Sequence, residues 1–178
     1  MIRRLTPSDA AIHRAFMLDA YARHPEAFTS TVAERESLPL DWWIRRVSDA
    51  SDAPQRVLGA FQGRQLVGGA GLRRETRPKT QHKATLFGMA VHPLAQGHGI
   101  GRALVEAVLE HARAEAGIEI VQLTVTETNQ RARDLYAACG FEAFGTEPYA
   151  IRVGGRYVRK VHMWCPTRAV SVASSTSS

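Results

Sequence analysis

Cysteine is nearly absent from this chain of 178 residues. Cys139 and Cys165 are too few for a disulfide framework and point to a reducing compartment. No apolar run approaches the roughly 18 residues that a membrane helix needs. The start, Met1-Ile2-Arg3-Arg4-Leu5-Thr6, lacks the apolar centre of a signal peptide. The expected location is cytoplasmic, with no membrane partner. Concentrated charge is also missing. The formal net charge is +6, but the arginines come in scattered pairs (Arg3-Arg4, Arg45-Arg46, Arg73-Arg74) with acids between them, and no Lys/Arg run or zinc-finger spacing occurs. A nucleic-acid partner would rest on net charge alone and is not expected; a solvated basic surface that favours anionic ligands fits better. The seven histidines lack a metal-ligand spacing such as His-x-x-x-His, so no metal is expected.

What is present is an ordinary globular composition, 44% hydrophobic and 22% charged. It is enough for one domain, expected over residues 1–166, followed by a Ser/Thr-rich tail over 167–178 expected to be disordered. The most informative stretch runs from Leu86 to Leu104. Leu86–Val91 is apolar and suits a buried strand, and Pro93 ends it because proline cannot donate to a ladder. Gly97, Gly99 and Gly101 then allow a tight turn and a close approach to a ligand. A helix starting near Gly99 directs unpaired N–H groups and a positive dipole end into that loop, which makes an anion site, phosphate above all.

Around this stretch the pattern predicts a short strand at 2–5 and a helix after Thr6-Pro7-Ser8-Asp9. An irregular segment follows at 25–30, then a short helix at 40–47. A hairpin is predicted from 56–61 and 65–72. Helices are expected from Gly101 and from Asn129, the latter ended by Gly140, with a strand at 118–126 between them. The final strands turn at Gly154-Gly155. The order is β-α-α-β-β-β-α-β-α-β-β. The unit 86–126 demands a parallel pair, and the hairpins on either side demand antiparallel ones, so the sheet is mixed and the class is α/β or α+β.

A Walker loop would need Lys-Ser/Thr after its last glycine, whereas Gly101 is followed by Arg102-Ala103. A dinucleotide fingerprint would place its third glycine one residue later and would leave the strand directly. The pattern Gln96-x-x-Gly99-x-Gly101 instead resembles the pyrophosphate loop of the GNAT superfamily of acyl-CoA N-acyltransferases. Met89-Ala90-Val91-His92-Pro93 before it, and Asn129-x-x-Ala132-x-x-Leu135-Tyr136-x-x-x-Gly140-Phe141 after it, stand in that family's order. The likeness is closest over 86–144 and looser over 1–165.

The resemblance implies a mixed, mostly antiparallel sheet whose central parallel pair splays apart between the fourth and fifth strands, flanked by helices. It implies acetyl-CoA as co-substrate and direct transfer of an acetyl group to a primary amine, of a small molecule or a peptide. Gln96, Gly97, His98, Gly99, Ile100, Gly101 and Arg102 would hold the coenzyme diphosphate, Met89, Ala90 and Val91 its pantetheine arm, and Asn129 would add a contact. The Met89 N–H would polarise the thioester carbonyl, and Tyr136, beside the sulfur, would protonate the leaving thiolate. Phe28, Thr29 and Trp43 from the helical region and Tyr149 from the last hairpin would border the acceptor.

The general base is the gap in this reading. Positions where relatives carry a glutamate hold Thr85 and Thr124, which leaves Glu127, acting through water, with His82 and His92 behind it. The basic Arg159 and Lys160 argue against a polycationic acceptor and towards one with a carboxylate or a small amine in a neutral pocket. A homodimer is an expected assembly. The alternative function is a catalytically idle coenzyme A-binding regulatory module.

Overall fold

The computed structural model describes residues 1–168; the Ser/Thr-rich stretch from Ser171 lies outside them. Strand β1 (Ile2–Arg4) leads through a 3-10 turn into α1 (Ala10–Arg23), then α2 (Val32–Glu36) and α3 (Leu40–Arg46). Strands β2 (Gln55–Gln62), β3 (Gln65–Arg74) and β4 (Lys83–Val91) follow. The chain then passes through α4 (Ile100–Ala114), β5 (Ile120–Thr126), α5 (Gln130–Ala138), β6 (Glu142–Val153) and β7 (Arg156–Pro166). The sequence pattern misses α2, five residues with no buried side chain. A capping box holds that helix instead: Thr31 Oγ1 accepts from the Glu34 N–H while the Glu34 carboxylate accepts from the Thr31 N–H. No described helix is long and apolar enough to cross a membrane.

The seven strands form one sheet in the order β1-β2-β3-β4-β5-β7-β6. Every neighbouring pair is antiparallel except β4 and β5, which are joined through α4 and run parallel. Two cores cover the sheet. In one, Leu104, Val105, Val108 and Ala112 of α4 are fully buried against Val121 and Ala84, and truncating a leucine there costs about 2–5 kcal/mol. In the other, α1 and α3 bury Phe16, Met17, Tyr21, Trp43 and Val47 against Leu5 and Val57. Trp43 therefore belongs to this core, with no exposed surface. Of two adjacent tryptophans only one can face inward on a helix.

Two local features shape the middle of the sheet. The register between β3 and β4 slips between Gly69 and Gly71, opposite Ala90 and Phe87, so β4 carries an extra residue there. Gly88, at φ 61, supplies the left-handed backbone that this bulge needs. As a result the face alternation shifts: Ala84 and Leu86 face the α4 core, then Met89 and Val91, while Phe87 and Ala90 face α1 and α3. The second feature is that β4 pairs with β5 only at Lys83–Ile120, Ala84–Val121 and Thr85–Gln122. Beyond Thr85 the two strands part, leaving the β5-facing edge of residues 86–91 without a strand partner.

Candidate active site

The parting strands open a cleft of about 1160 Å³. One wall is β4 from Thr85 to Val91, continued by the loop to Gly101 and Arg102. The other is β5 from Gln122 to Thr126 with the start of α5. At the loop, Gly99 caps α4 at φ 75 and Gly97 stands at φ 83, both open to solvent where a Cβ would sit. Left-handed backbone at these two positions turns the first α4 N–H groups outward, towards the cleft.

Gln96 is held from both sides. Its Nε2 donates to the Val91 carbonyl at 3.1 Å, and Arg131 of α5 donates to its Oε1 at 2.6 Å. One polar side chain thus ties the end of β4, the loop and α5 together across the mouth of the cleft. Asn129 lines the same region, and its side-chain oxygen caps α5 by accepting from the Ala132 N–H at 3.1 Å. Arg102 lines the cleft and pairs with Glu106 at 2.7 Å, whereas His98 is exposed and does not line it. An unpaired strand edge, which an extended amide-bearing arm can join like an added strand, beside an open helix N-terminus suits coenzyme A. Met89, Ala90 and Val91 would take the arm, and Gly97–Arg102 the diphosphate.

Tyr136 lies where these parts meet. Its ring packs edge-on against Phe141 at 5.9 Å and is nearly buried, yet the residue lines the cleft. Among the described residues its hydroxyl has no hydrogen-bond partner within the protein. Burial, with a lesser push from the Cys139 thiol, holds the phenol well above its ordinary value, so it keeps its proton at neutral pH.

The far end of the cleft is made of side chains. Phe28 and Thr29, both expected here, line it on the segment after α1. That segment is pinned by Lys160 of β7. The Lys160 Nζ donates to the Glu26 carbonyl at 3.2 Å, the Ala27 carbonyl at 3.0 Å and Thr126 Oγ1 at 3.2 Å. Thr126 Oγ1 in turn donates to the Glu26 carbonyl at 2.6 Å. Burial lowers the Lys160 ammonium from its ordinary value, but three acceptors use its three protons. Thr85 and Thr124 also line the cleft. Facing Thr124 across the β5–β7 ladder is His162, whose Nε2 meets Glu147 Oε2 at 3.0 Å.

Four expected site residues fall outside the cleft, the exposed His98 among them. Trp43 is locked in the α1–α3 core. Tyr149 is 71% exposed on a bulged part of β6, where the register slips between Glu147 and Ile151, and it packs on Tyr157 at 4.7 Å. Glu127 turns to Arg159 on the hairpin, 3.3 Å away. Sequence spacing carries little of this, because these outcomes depend on helix packing, a bulge or a partner from another strand. It also passed over His162, which becomes visible only once the β5–β7 register is known.

Comparison with known proteins agrees with this geometry. The acetyltransferase (GNAT) family model matches residues 12–141. A mycothiol acetyltransferase of Brachybacterium faecium is 32% identical over 139 residues, which is 78% of this chain and 39% of that protein. The N-alpha-acetyltransferase RimI of Mycobacterium tuberculosis is 37% identical over 99 residues, 55% of this chain and 59% of that one. The chain thus spans only part of the length of the curated relatives it matches. In fold it is similar to the yncA structure from Salmonella typhimurium, solved with its cofactor acetyl-CoA, at a TM-score of 0.78 and 19% identity, covering 98% of each chain. With the family model covering most of the sequence and the sheet parting where an acyl-coenzyme would enter, the chain belongs to the GNAT acetyltransferase family.

Proposed function

We propose that the protein transfers an acetyl group from acetyl-CoA to the primary amine of a small molecule, both substrates being bound together. The observation that supports this most is the meeting, in one cleft, of an unpaired β4 edge, the open N-terminus of α4 and the unpartnered Tyr136 hydroxyl. The coenzyme, when bound, supplies a thioester carbonyl and a thiolate leaving group.

The chain's own residues do the rest. The Gly97–Arg102 backbone binds the diphosphate, with Gln96 and Arg131 bracing the loop, and the edge of β4 orients the arm so that the Met89 N–H can donate to the carbonyl oxygen. Tyr136 donates a hydrogen bond to the departing sulfur; because burial opposes a phenolate, it stays a donor across neutral pH. His162, braced by Glu147, takes the proton of the incoming amine in place of Glu127, whose carboxylate is held by Arg159. Lys160 orders the acceptor wall and takes no part in proton transfer, since its three protons are committed.

The test is thiol release from acetyl-CoA across a panel of primary amines, with coenzyme binding followed separately. Turnover that falls sharply in Tyr136→Phe while coenzyme binding persists supports the proposal. Tight coenzyme binding with no turnover on any amine would favour the idle binding module instead.

A further inference from the structure

Several arginines of this protein pair with acids. Asp9 takes Arg3 at 2.8 Å, and Glu115 takes both Arg56 and Arg74 at 3.1 Å. Three that cluster at the acceptor end of the cleft do not. Arg35, Arg46 and Arg73 all line it, and among the described residues none of the three has a carboxylate partner. They are arranged around two rings. The Arg35 guanidinium lies 4.6 Å from the Trp42 centroid and that of Arg46 5.0 Å from the same ring. Arg46 is also 4.7 Å from the Phe87 centroid, and Arg73 5.5 Å from it. The result is an alternating file, Arg35, Trp42, Arg46, Phe87, Arg73.

Stacking occupies the faces of a guanidinium and leaves its in-plane N–H fork free, the part that matches a carboxylate. Arg46 is half-buried between the two rings and has no hydrogen-bond partner for that fork among the described residues. Arg35 spends one nitrogen on Ser30 Oγ at 2.7 Å, and its Nε is buried without a partner. Burial lowers the Arg46 guanidinium to about 10; Tyr21 opposes the shift, and the charges of Arg35 and Arg73 add to it. Three like charges with no acid among them is a costly arrangement for the empty protein. The cleft does not relieve it from within, because its two lining carboxylates are engaged: Asp19 with Arg23 at 2.7 Å and Glu26 with Arg156 at 3.3 Å.

We propose that Arg46, flanked by Arg35 and Arg73, is a carboxylate-binding subsite for the acetyl acceptor, which makes the acceptor a small amino carboxylate. This rests on the acetyl-transfer reading of the cleft and names its substrate class. Position agrees with it. Phe87, on which Arg46 and Arg73 stack, precedes Met89 by two residues, at most about 7 Å along the strand. A molecule with its carboxylate at the arginines thus reaches the acetyl group with an amine a few bonds away. The same three charges repel polycationic amines.

The experiment measures thiol release from acetyl-CoA with glycine, β-alanine, γ-aminobutyrate, methionine and glutamate, each beside its carboxamide. At least one acid is expected to exceed its amide by about tenfold or more in kcat/KM, since a hydrogen bond to a charged group contributes on that order. In Arg46→Gln the ratio of acid to amide should collapse towards one, mainly through KM. Removing an unpaired, half-buried charge should leave the Tm unchanged or raised. If Arg46→Gln does not fold, Arg73→Gln, at an exposed position, carries the same comparison. Amides that match or exceed their acids, or a preference that survives both substitutions, would overturn the subsite. If no amine is acetylated at all, the transfer reading fails, and equilibrium binding of the same acids decides the subsite by itself. Saturable binding lost in Arg46→Gln upholds it; no binding overturns it.

Discussion

In the proposed reaction the donor end of the cleft works through main chain: the free edge of β4 beyond Thr85, the Gly97–Gly101 turn and the first N–H groups of α4. At the proposed acceptor end the groups are side chains, with Arg35 from α2, Arg46 from α3, Arg73 from β3 and Lys160 from β7, while Tyr136 and His162 stand at the junction. A backbone site tolerates many side chains but depends on particular φ angles and on glycine. A side-chain site tolerates backbone change but loses its selectivity with one substitution. Perturbations should therefore separate the two ends, acting on one KM and not on the other, while groups at the junction act on turnover.

The junction should show the largest effect. Tyr136→Phe is expected to lower kcat by about 100-fold or more with KM for acetyl-CoA near wild type, as steady-state kinetics will show. An unchanged kcat would remove Tyr136 from the chemistry. His162→Ala should also lower kcat by about 100-fold, and added imidazole should restore part of it if the histidine accepts a proton. A loss that imidazole does not touch would mean that His162 serves only to hold Glu147 and the hairpin.

The two ends are then separated by glycine variants. Gly99→Val forces a β-branched residue to φ 75 at the α4 cap and should raise KM for acetyl-CoA by about tenfold, in line with 1–3 kcal/mol of backbone strain, with little change in acceptor KM. Gly71→Ala does the reverse. Its new Cβ would collide with the Phe87 ring, displacing the ring on which Arg46 and Arg73 stack. Acceptor KM should rise several-fold while acetyl-CoA KM holds. If both variants moved both constants equally, the division of the cleft would be wrong.

The smallest expected effect concerns the footing of the acceptor wall. His13 of α1 is buried against Trp43 with both ring nitrogens unpartnered. Burial, with the charge of Arg46 adding to it, lowers His13 to about 4. The unfolded chain binds this proton from about pH 6.5, and the folded one resists it until about 4. Stability is therefore intact above that window and falls as pH drops through it, by up to about 3 kcal/mol. His13→Leu should flatten the dependence of Tm on pH between those values; an unchanged slope would mean that the loss arises elsewhere.

The same division explains what the sequence disclosed. Glycine spacing, the apolar run 86–91 and the Asn129–Phe141 pattern report on backbone, so the glycine turn, the parallel pair and the helix caps were legible. The acceptor end depended on facts that no local pattern carries. Which of Trp42 and Trp43 faces inward was set by α3 packing on α1. Whether Tyr149 reached the cleft was set by a bulge in β6. Glu127 was lost to Arg159, and His162 entered through the ladder with β5. The arginine file joins residues nearly 40 positions apart in sequence, from Arg35 to Arg73, and only the fold assembles it.

The most direct test of the two-ended cleft is an initial-rate matrix in which acetyl-CoA and the best amino carboxylate are varied together. If both ends fill before transfer, double-reciprocal lines intersect. Parallel lines would mean that the coenzyme leaves before the acceptor binds, through an acetylated enzyme, and would contradict the account.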